Sequence, residues 1–228
     1  MLWSLANPIA MTVVYAAIFG HTFISYYGGS LERYAFAVFI GLTVIGFFSA
    51  TTSEALTSVV ADGALLNKLN VPKTAFPIAS VLANSFQLCV GMLPILIGIG
   101  IASGAGLQLL WLPLPLIALV AFCCGAGLLL SALYVFYRDI PSMWELLTFF
   151  VWVTSAVFYP LAIVPKRIAH IVEYNPLFAF VTTLREIAMG SAQPDLRLLG
   201  IGSLEGLGAL LVGIVVFRAA QPGFMDRL

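Results

Sequence analysis

Charge-free stretches cover residues 1–31, 34–53, 74–137, 146–165 and 206–217 of the chain. A bilayer core about 30 Å thick is crossed by roughly 20 apolar residues at about 1.5 Å rise each, so a stretch near that length predicts a span. The 64 residues of 74–137 are too many for one helix, and the turn signal Ser103-Gly104-Ala105-Gly106 divides them. Six spans follow, at 5–27, 34–58, 76–101, 111–136, 143–163 and 198–218. The predicted fold class is therefore an all-α polytopic membrane protein, a single transmembrane domain over 1–228. Its even span count puts both termini on one side. The last span is interrupted by Glu205 and carries five glycines between Gly200 and Gly213. Gly202 and Gly206 have the spacing of a close helix contact in lipid, although the same glycines also read as tolerated breakers.

Composition agrees with the pattern. Of the 228 residues, 61% are hydrophobic and 9% charged, against roughly 25% charged in a soluble domain. Ten basic and ten acidic residues cancel, which excludes disorder driven by net charge and electrostatic binding of nucleic acid. With cytoplasmic termini, the inner side carries Lys68, Lys73, Arg138, Arg218 and Arg227, and the outer side Arg33, Lys166, Arg167, Arg185 and Arg197. Setting aside the long segment between the last two spans leaves five against one, which favours cytoplasmic termini. No charge precedes Glu32, so the N-terminus lacks the basic start of a signal peptide and the first helix is expected to be retained.

Cys89, Cys123 and Cys124 all fall within predicted spans and read as small buried hydrophobes, without a disulfide framework or metal site. The chain has no Gly-Lys-Ser/Thr phosphate loop, no Gly-x-Ser-x-Gly elbow and no His-Glu-x-x-His pair. His21 and His170 read as polar interfacial residues. Uphill transport would thus draw its energy from a partner or an ion gradient. The scarcity of ionisable residues within spans, such as Glu54 and Glu205, argues against ion coupling.

Two segments outside the spans carry pattern of their own. Over 61–73, Asp62 is placed to cap a short helix presenting Leu65, Leu66 and Leu69 on one face, followed by Lys68, Pro72 and Lys73. Such an elbow fits a groove on another protein, or is a solvated loop. Over 166–190, Ile168, Ile171 and Val172 keep helical spacing, Asn175-Pro176 breaks the chain, and a second amphipathic stretch holds Arg185. These predict two small helices in or dipping into the outer interface, touching head groups or narrowing an exit. Within the spans, Tyr15, Phe19, Phe23 and Tyr26 or Tyr27 recur at helical spacing on the first helix, and Trp144, Thr148, Trp152, Ser155 and Tyr159 share a face of the fifth. Aromatic faces stack on the C–H faces of sugar rings and hydroxyls exchange hydrogen bonds with them. The alternative is a set of aromatics facing lipid or the interface.

Several of these features occur in a familiar order: Pro72-Lys73, Phe76-Pro77, Tyr137-Arg138-Asp139, Ser155 to Tyr159-Pro160, Pro165, and Asn175-Pro176 followed by Arg185 and Gly190. From Leu2-Trp3 and Pro8 almost to the C-terminus, the chain resembles type-2 ABC exporter permeases, in the branch exporting lipid-linked polysaccharides such as O-antigen, capsule and teichoic acid. The resemblance implies a six-helix subunit that forms a homodimer and pairs with two copies of a separate cytoplasmic ATPase. ATP and Mg would be bound by that partner, with no cofactor in this chain. Leu65, Leu66, Lys68, Leu69, Pro72 and Lys73 would then form the coupling segment. Tyr137, Arg138 and Asp139 would sit at the cytoplasmic surface, where Arg138 meets lipid phosphate, the ATPase or Asp139. Tyr15, Phe19, Phe23, Trp144, Trp152, Ser155 and Tyr159 are the candidate path for a lipid-linked glycan, and Asn175, Pro176 and Arg185 mark the outer hairpin. Relatives usually carry a basic amphipathic helix ahead of the Leu-Trp, so either that helix is absent here or, the favoured expectation, Met1 is an internal methionine. The alternative reading is a same-fold exporter of a drug, lipid or other small hydrophobic molecule. An embedded transferase would need an acidic or histidine cluster at one membrane face, which the sequence does not supply.

Overall fold

The computed structural model describes residues 2–61, 72–190 and 194–224, and among these every regular element is helical. In chain order they are α1 (Leu2–Phe23), α2 (Leu31–Ala61), α3 (Ala75–Ser103), α4 (Pro113–Phe136), α5 (Ile140–Thr154), α6 (Lys166–Glu173), α7 (Pro176–Met189) and α8 (Leu196–Ala220). Short 3-10 turns extend several of them, at Ile24–Tyr27, Gly106–Trp111, Leu161–Ile163 and Gln221–Phe224. With these extensions, five helices are long and apolar enough to cross a membrane: Ala6–Tyr27, Leu31–Ala61, Ala75–Ser103, Gly106–Phe136 and Leu196–Phe224. They coincide with five of the six expected spans.

Over the remaining expected span the helix is shorter than its apolar stretch. The span predicted over 143–163 is helical only to Thr154, a helix of 15 residues. Pro160 has no N–H for the Ala156 carbonyl four residues back, and its ring disfavours helix in Tyr159 before it. Ala156 takes a left-handed φ of 48°, which ends the helix outright. A second proline leaves a milder mark. Within α3 the turn at Leu88–Met92 widens to a π-helix just before Pro94, where an α-helical carbonyl four residues back would meet the proline ring.

The chain divides into two compact units. The first comprises 1–46, 87–116 and 150–202, and the second 47–86, 117–149 and 203–228. In the first, α7 lies along the Leu93–Ser103 half of α3, the Gly106–Trp111 turn and α6. The second amphipathic stretch of 166–190 is α7, which buries Leu177, Ala179, Phe180, Val181, Thr183, Leu184, Ile187 and Ala188, more than one face of a helix this short. Its end is a left-handed Gly190 whose missing side chain lets the chain pass against the Ala105 backbone.

In the second unit, Val59, Leu128, Ala132, Val135, Phe217 and Phe224 form a buried cluster joining the end of α2, α4 and the end of α8. The helices α4 and α8 approach at backbone distance. A Cβ on Gly206 would strike the Ala118 backbone, one on Gly213 the Gly125 backbone, and one on Gly125 the Ala209 backbone. In lipid, where hydrocarbon offers no hydrophobic drive between helices, such approach supplies dispersion contacts.

Candidate functional site: an aromatic wall beside a helix break

In the first unit, the aromatic residues of α1 form a row. Tyr15 stacks on Phe19 with ring centroids 6.1 Å apart, and Phe19 on Phe23 at 6.1 Å, the consequence of i, i+4 spacing along one helix face. The row continues to Tyr34 of α2, which lies 6.2 Å from Phe23 and meets Tyr27 edge-on at 5.4 Å. A ring from another part of the unit closes it. Phe158 stacks on Tyr15 at 5.4 Å, touches Phe19 at 6.0 Å, and contacts Trp152 at 5.9 Å and Tyr159 at 5.1 Å. Tyr15, Phe19, Phe23, Trp152, Phe158 and Tyr159 are all half-buried, so the wall is packed on one side and open on the other.

Phe158 belongs to the irregular chain after α5, and such chain is costly within a membrane. With no water to satisfy them, the carbonyls freed where a helix stops need donors from the protein. Side chains supply these one after another. Arg185 of α7 donates from Nη1 to the Ala156 carbonyl at 3.1 Å and from Nη2 to the Val157 carbonyl at 2.7 Å, while its Nε bonds the Ala37 carbonyl of α2 at 2.9 Å. The hydroxyl of the fully buried Tyr34 donates to the next carbonyl, Phe158, at 2.9 Å. Asn175 holds the end of α5 itself: its Nδ2 lies 2.9 Å from the Val151 carbonyl, 2.7 Å from Thr154 Oγ1 and 2.9 Å from Ser155 Oγ. The same residue caps α7, its Oδ1 accepting from the Leu177 N–H at 2.9 Å with Pro176 in the first helical position.

The planar guanidinium suits this task, since its fork addresses several fixed acceptors at once. Arginine keeps its charge in proteins, so the carbonyls serve as its counter-dipoles. Space for it is made at Gly41, where a Cβ would come within 2.9 Å of Nη2 and 3.0 Å of Val157 Cγ1.

In the second unit, Trp144 of α5 donates from Nε1 to Thr52 Oγ1 at 3.0 Å and packs 5.7 Å from Phe48. Asn84 of α3 donates to the Glu54 carboxylate and to the Ser80 carbonyl. Lys73 donates to the Gln221 carbonyl at 3.3 Å, beneath α8. Tyr137, Arg138 and Asp139 are exposed between α4 and α5, with the Arg138 guanidinium 5.7 Å over the Tyr134 ring. Among the described residues no group of His, Cys, Asp and Glu is arranged to hold a metal.

Residues 1–189 match the family model described as ABC-2 type transporter. The chain belongs to that family. It is similar to the O-antigen export system permease protein RfbA of Klebsiella pneumoniae, 25% identical over all of this chain and 86% of that protein. A protein of the same name from Myxococcus xanthus is 24% identical over 99% of this chain and 84% of its own length. The polysialic acid transport protein KpsM of Escherichia coli is 22% identical over 98% of this chain and 87% of its own. Family and apolar helices together make this ABC-2 chain a multi-pass membrane protein.

The candidate residues of this ABC-2 protein fall in different places. Tyr15, Phe19, Phe23, Trp152 and Tyr159 lie in the wall, and Ser155 is buried behind it as a partner of Asn175. Trp144, in the second unit, donates to Thr52. Of the coupling segment only Pro72 and Lys73 are described; Leu65, Leu66, Lys68 and Leu69 lie outside the described residues. Phe158 and Tyr34 escaped the sequence reading. Phe158 follows the break, where helical spacing no longer applies, and the signal that points to it is the proline two residues on.

Proposed function

We propose that this chain is the membrane-spanning permease subunit of an ATP-driven exporter that moves a lipid-linked polysaccharide, of O-antigen, capsule or teichoic acid type, to the outer side of the plasma or inner membrane. The observation carrying this reading is the similarity, over essentially the whole chain, to permeases named for O-antigen export and polysialic acid transport. The half-open aromatic wall supports it: stacked rings bind sugar C–H faces weakly and repeatedly, which suits a sliding polymer.

In this reading two copies of the chain form the path and two copies of a separate ATPase, which binds ATP and Mg, drive it. Each subunit has six membrane-embedded helices with cytoplasmic termini. The sixth is α5, whose 15 residues reach about 22 Å and are completed by the irregular chain after it. Residues 61–73 act as the coupling helix, seating Leu65, Leu66 and Leu69 in an ATPase groove. Tyr137, Arg138 and Asp139 lie at the cytoplasmic surface, and α6 with α7 forms the hairpin at the outer side.

Deleting the gene in its host and labelling cell-surface glycan tests the reading. Surface polysaccharide is expected to be lost while lipid-linked glycan accumulates inside, both restored by the wild-type gene. Normal surface glycan together with a lost efflux of drug or lipid would instead favour a small hydrophobic substrate.

A further inference from the structure

We propose that Arg185 is the positioning residue of the aromatic wall: by holding the carbonyls of Ala156 and Val157 it sets the Phe158 ring against Tyr15 and Phe19, making Phe158 a contact for the exported sugar chain. The role of Phe158 rests on the polysaccharide reading above; the role of Arg185 in setting the ring does not.

Three observations converge on this assignment. First, the carbonyls of three consecutive residues, Ala156, Val157 and Phe158, are each taken by a side-chain donor, Arg185 twice and Tyr34 once. Fixed side-chain donors in place of water set where each of these peptides lies. Second, Ala156 has the one left-handed φ outside glycine among the described residues, 48°, so this bend persists because its surroundings fix it. Third, Phe158 is the ring that meets both the α1 row and the Trp152 and Tyr159 pair. Its backbone is therefore the piece whose position decides whether the wall is continuous. Arg185 does not face the open side of the wall; its three nitrogens are turned to peptide carbonyls of α2 and of the break. It acts through Phe158.

The test uses the full permease with its ATPase in native membranes, after Cys89, Cys123 and Cys124 are replaced by alanine. Cysteines are introduced as Tyr15→Cys and Phe158→Cys and bridged with a short bifunctional thiol reagent. Bridging is expected to be efficient with Arg185 present and to fall about fivefold in Arg185→Gln, whose amide reaches fewer of the carbonyls than the guanidinium fork. Unchanged bridging in Arg185→Gln would overturn the proposal. Should that variant fail to accumulate in membranes, two others decide. Gly41→Ala keeps the guanidinium but crowds it, and Tyr34→Phe removes only the donor to Phe158; wild-type bridging in both would equally overturn the proposal.

Export supplies the second readout, as length-resolved surface glycan in cells. Phe158→Leu is expected to lower export about fivefold, the size of one lost aromatic contact, with Phe158→Tyr close to wild type. Arg185→Gln is expected to match Phe158→Leu, and the double variant to be no worse than either. Lost bridging in Arg185→Gln with wild-type export in Phe158→Leu would leave the positioning role standing and remove the sugar contact.

Discussion

Lys73 donates from Nζ to the Gln221 carbonyl at 3.3 Å, with its ammonium 5.5 Å from the centroid of the Phe224 ring. Gln221 opens the 3-10 turn that ends α8, so a cation sits where helix carbonyls are left without partners. Phe224 is fully buried against Phe217 at 5.3 Å and Phe136 at 6.0 Å, in the cluster that also holds Val59 near the end of α2. Both ends of the 61–73 segment, at Val59 just before it and at Lys73, its last residue, therefore meet one core.

If that segment couples to an ATPase, its movement reaches α8 through Lys73. Lys73→Met is expected to reduce export per ATP hydrolysed by severalfold without changing the amount of permease in the membrane. Phe224→Ala is expected to destabilise the subunit by about 3–5 kcal/mol, as truncation of a buried aromatic does. Simultaneous measurement of ATPase and export separates the first effect, and thermal unfolding in detergent reads the second.

The glycines of α8 divide into two kinds. A methyl on Gly213 would meet the Gly125 backbone, which cannot rotate away, whereas nothing lies within 4 Å of the corresponding position at Gly208. Gly213→Ala should lower stability by about 1–3 kcal/mol through overpacking. Gly208→Ala should be neutral or stabilising by up to about 1 kcal/mol, the helix propensity difference. Equal melting temperatures for the two variants would contradict the backbone approach of α4 and α8.

The contrast between legible and illegible features runs along α5. Its start and the other long helices could be read from charge spacing, because a bilayer enforces a length that composition reveals. The Tyr15, Phe19 and Phe23 row was legible too, since helical spacing alone puts them on one face. The end of α5 was not. A hydropathy stretch continues through Val157 and Phe158, and the mark of the break in the sequence is Pro160 beyond it, which leaves the Ala156 carbonyl without its helical donor. Arg185 looked like an interfacial charge for the same reason: its partners are backbone atoms, which leave no trace in side-chain pattern.

Two tryptophans of α5 should separate in their effects. Trp144 is tied to Thr52 and packs on Phe48, whereas Trp152 lies in the wall against Phe158. Trp144→Phe removes a hydrogen bond from a half-buried site and should cost about 1 kcal/mol of stability with export little changed. Trp152→Ala and Tyr159→Ala should slow polymer export at unchanged membrane level. Surface glycan labelling after a pulse of precursor gives the rates, and wild-type rates for both would remove the wall from the path.

Coupling can be tested without disturbing the core. Leu66→Ala and Lys68→Ala should each leave insertion intact and uncouple ATP hydrolysis from export, since both lie in the segment proposed to dock. Normal export in the double variant would refute the docking role of 61–73.

Glu205 offers the last test, because a carboxyl inside a span needs a reason. Its Oε2 is buried without a hydrogen-bond partner among the described residues, next to Gly206 where α8 presses on Ala118. Leaving a polar atom unsatisfied costs about 1–3 kcal/mol, so a carboxyl with no role in the assembled exporter should be improved upon by a leucine of similar size. Glu205→Leu is expected to raise the melting temperature of the isolated subunit. If two copies assemble as proposed, the outcome there turns on whether the second copy supplies a donor. A drop in dimer stability, alongside the gain in the monomer, would locate Glu205 at the subunit contact. Gain in both would mark it as a cost carried by the fold alone.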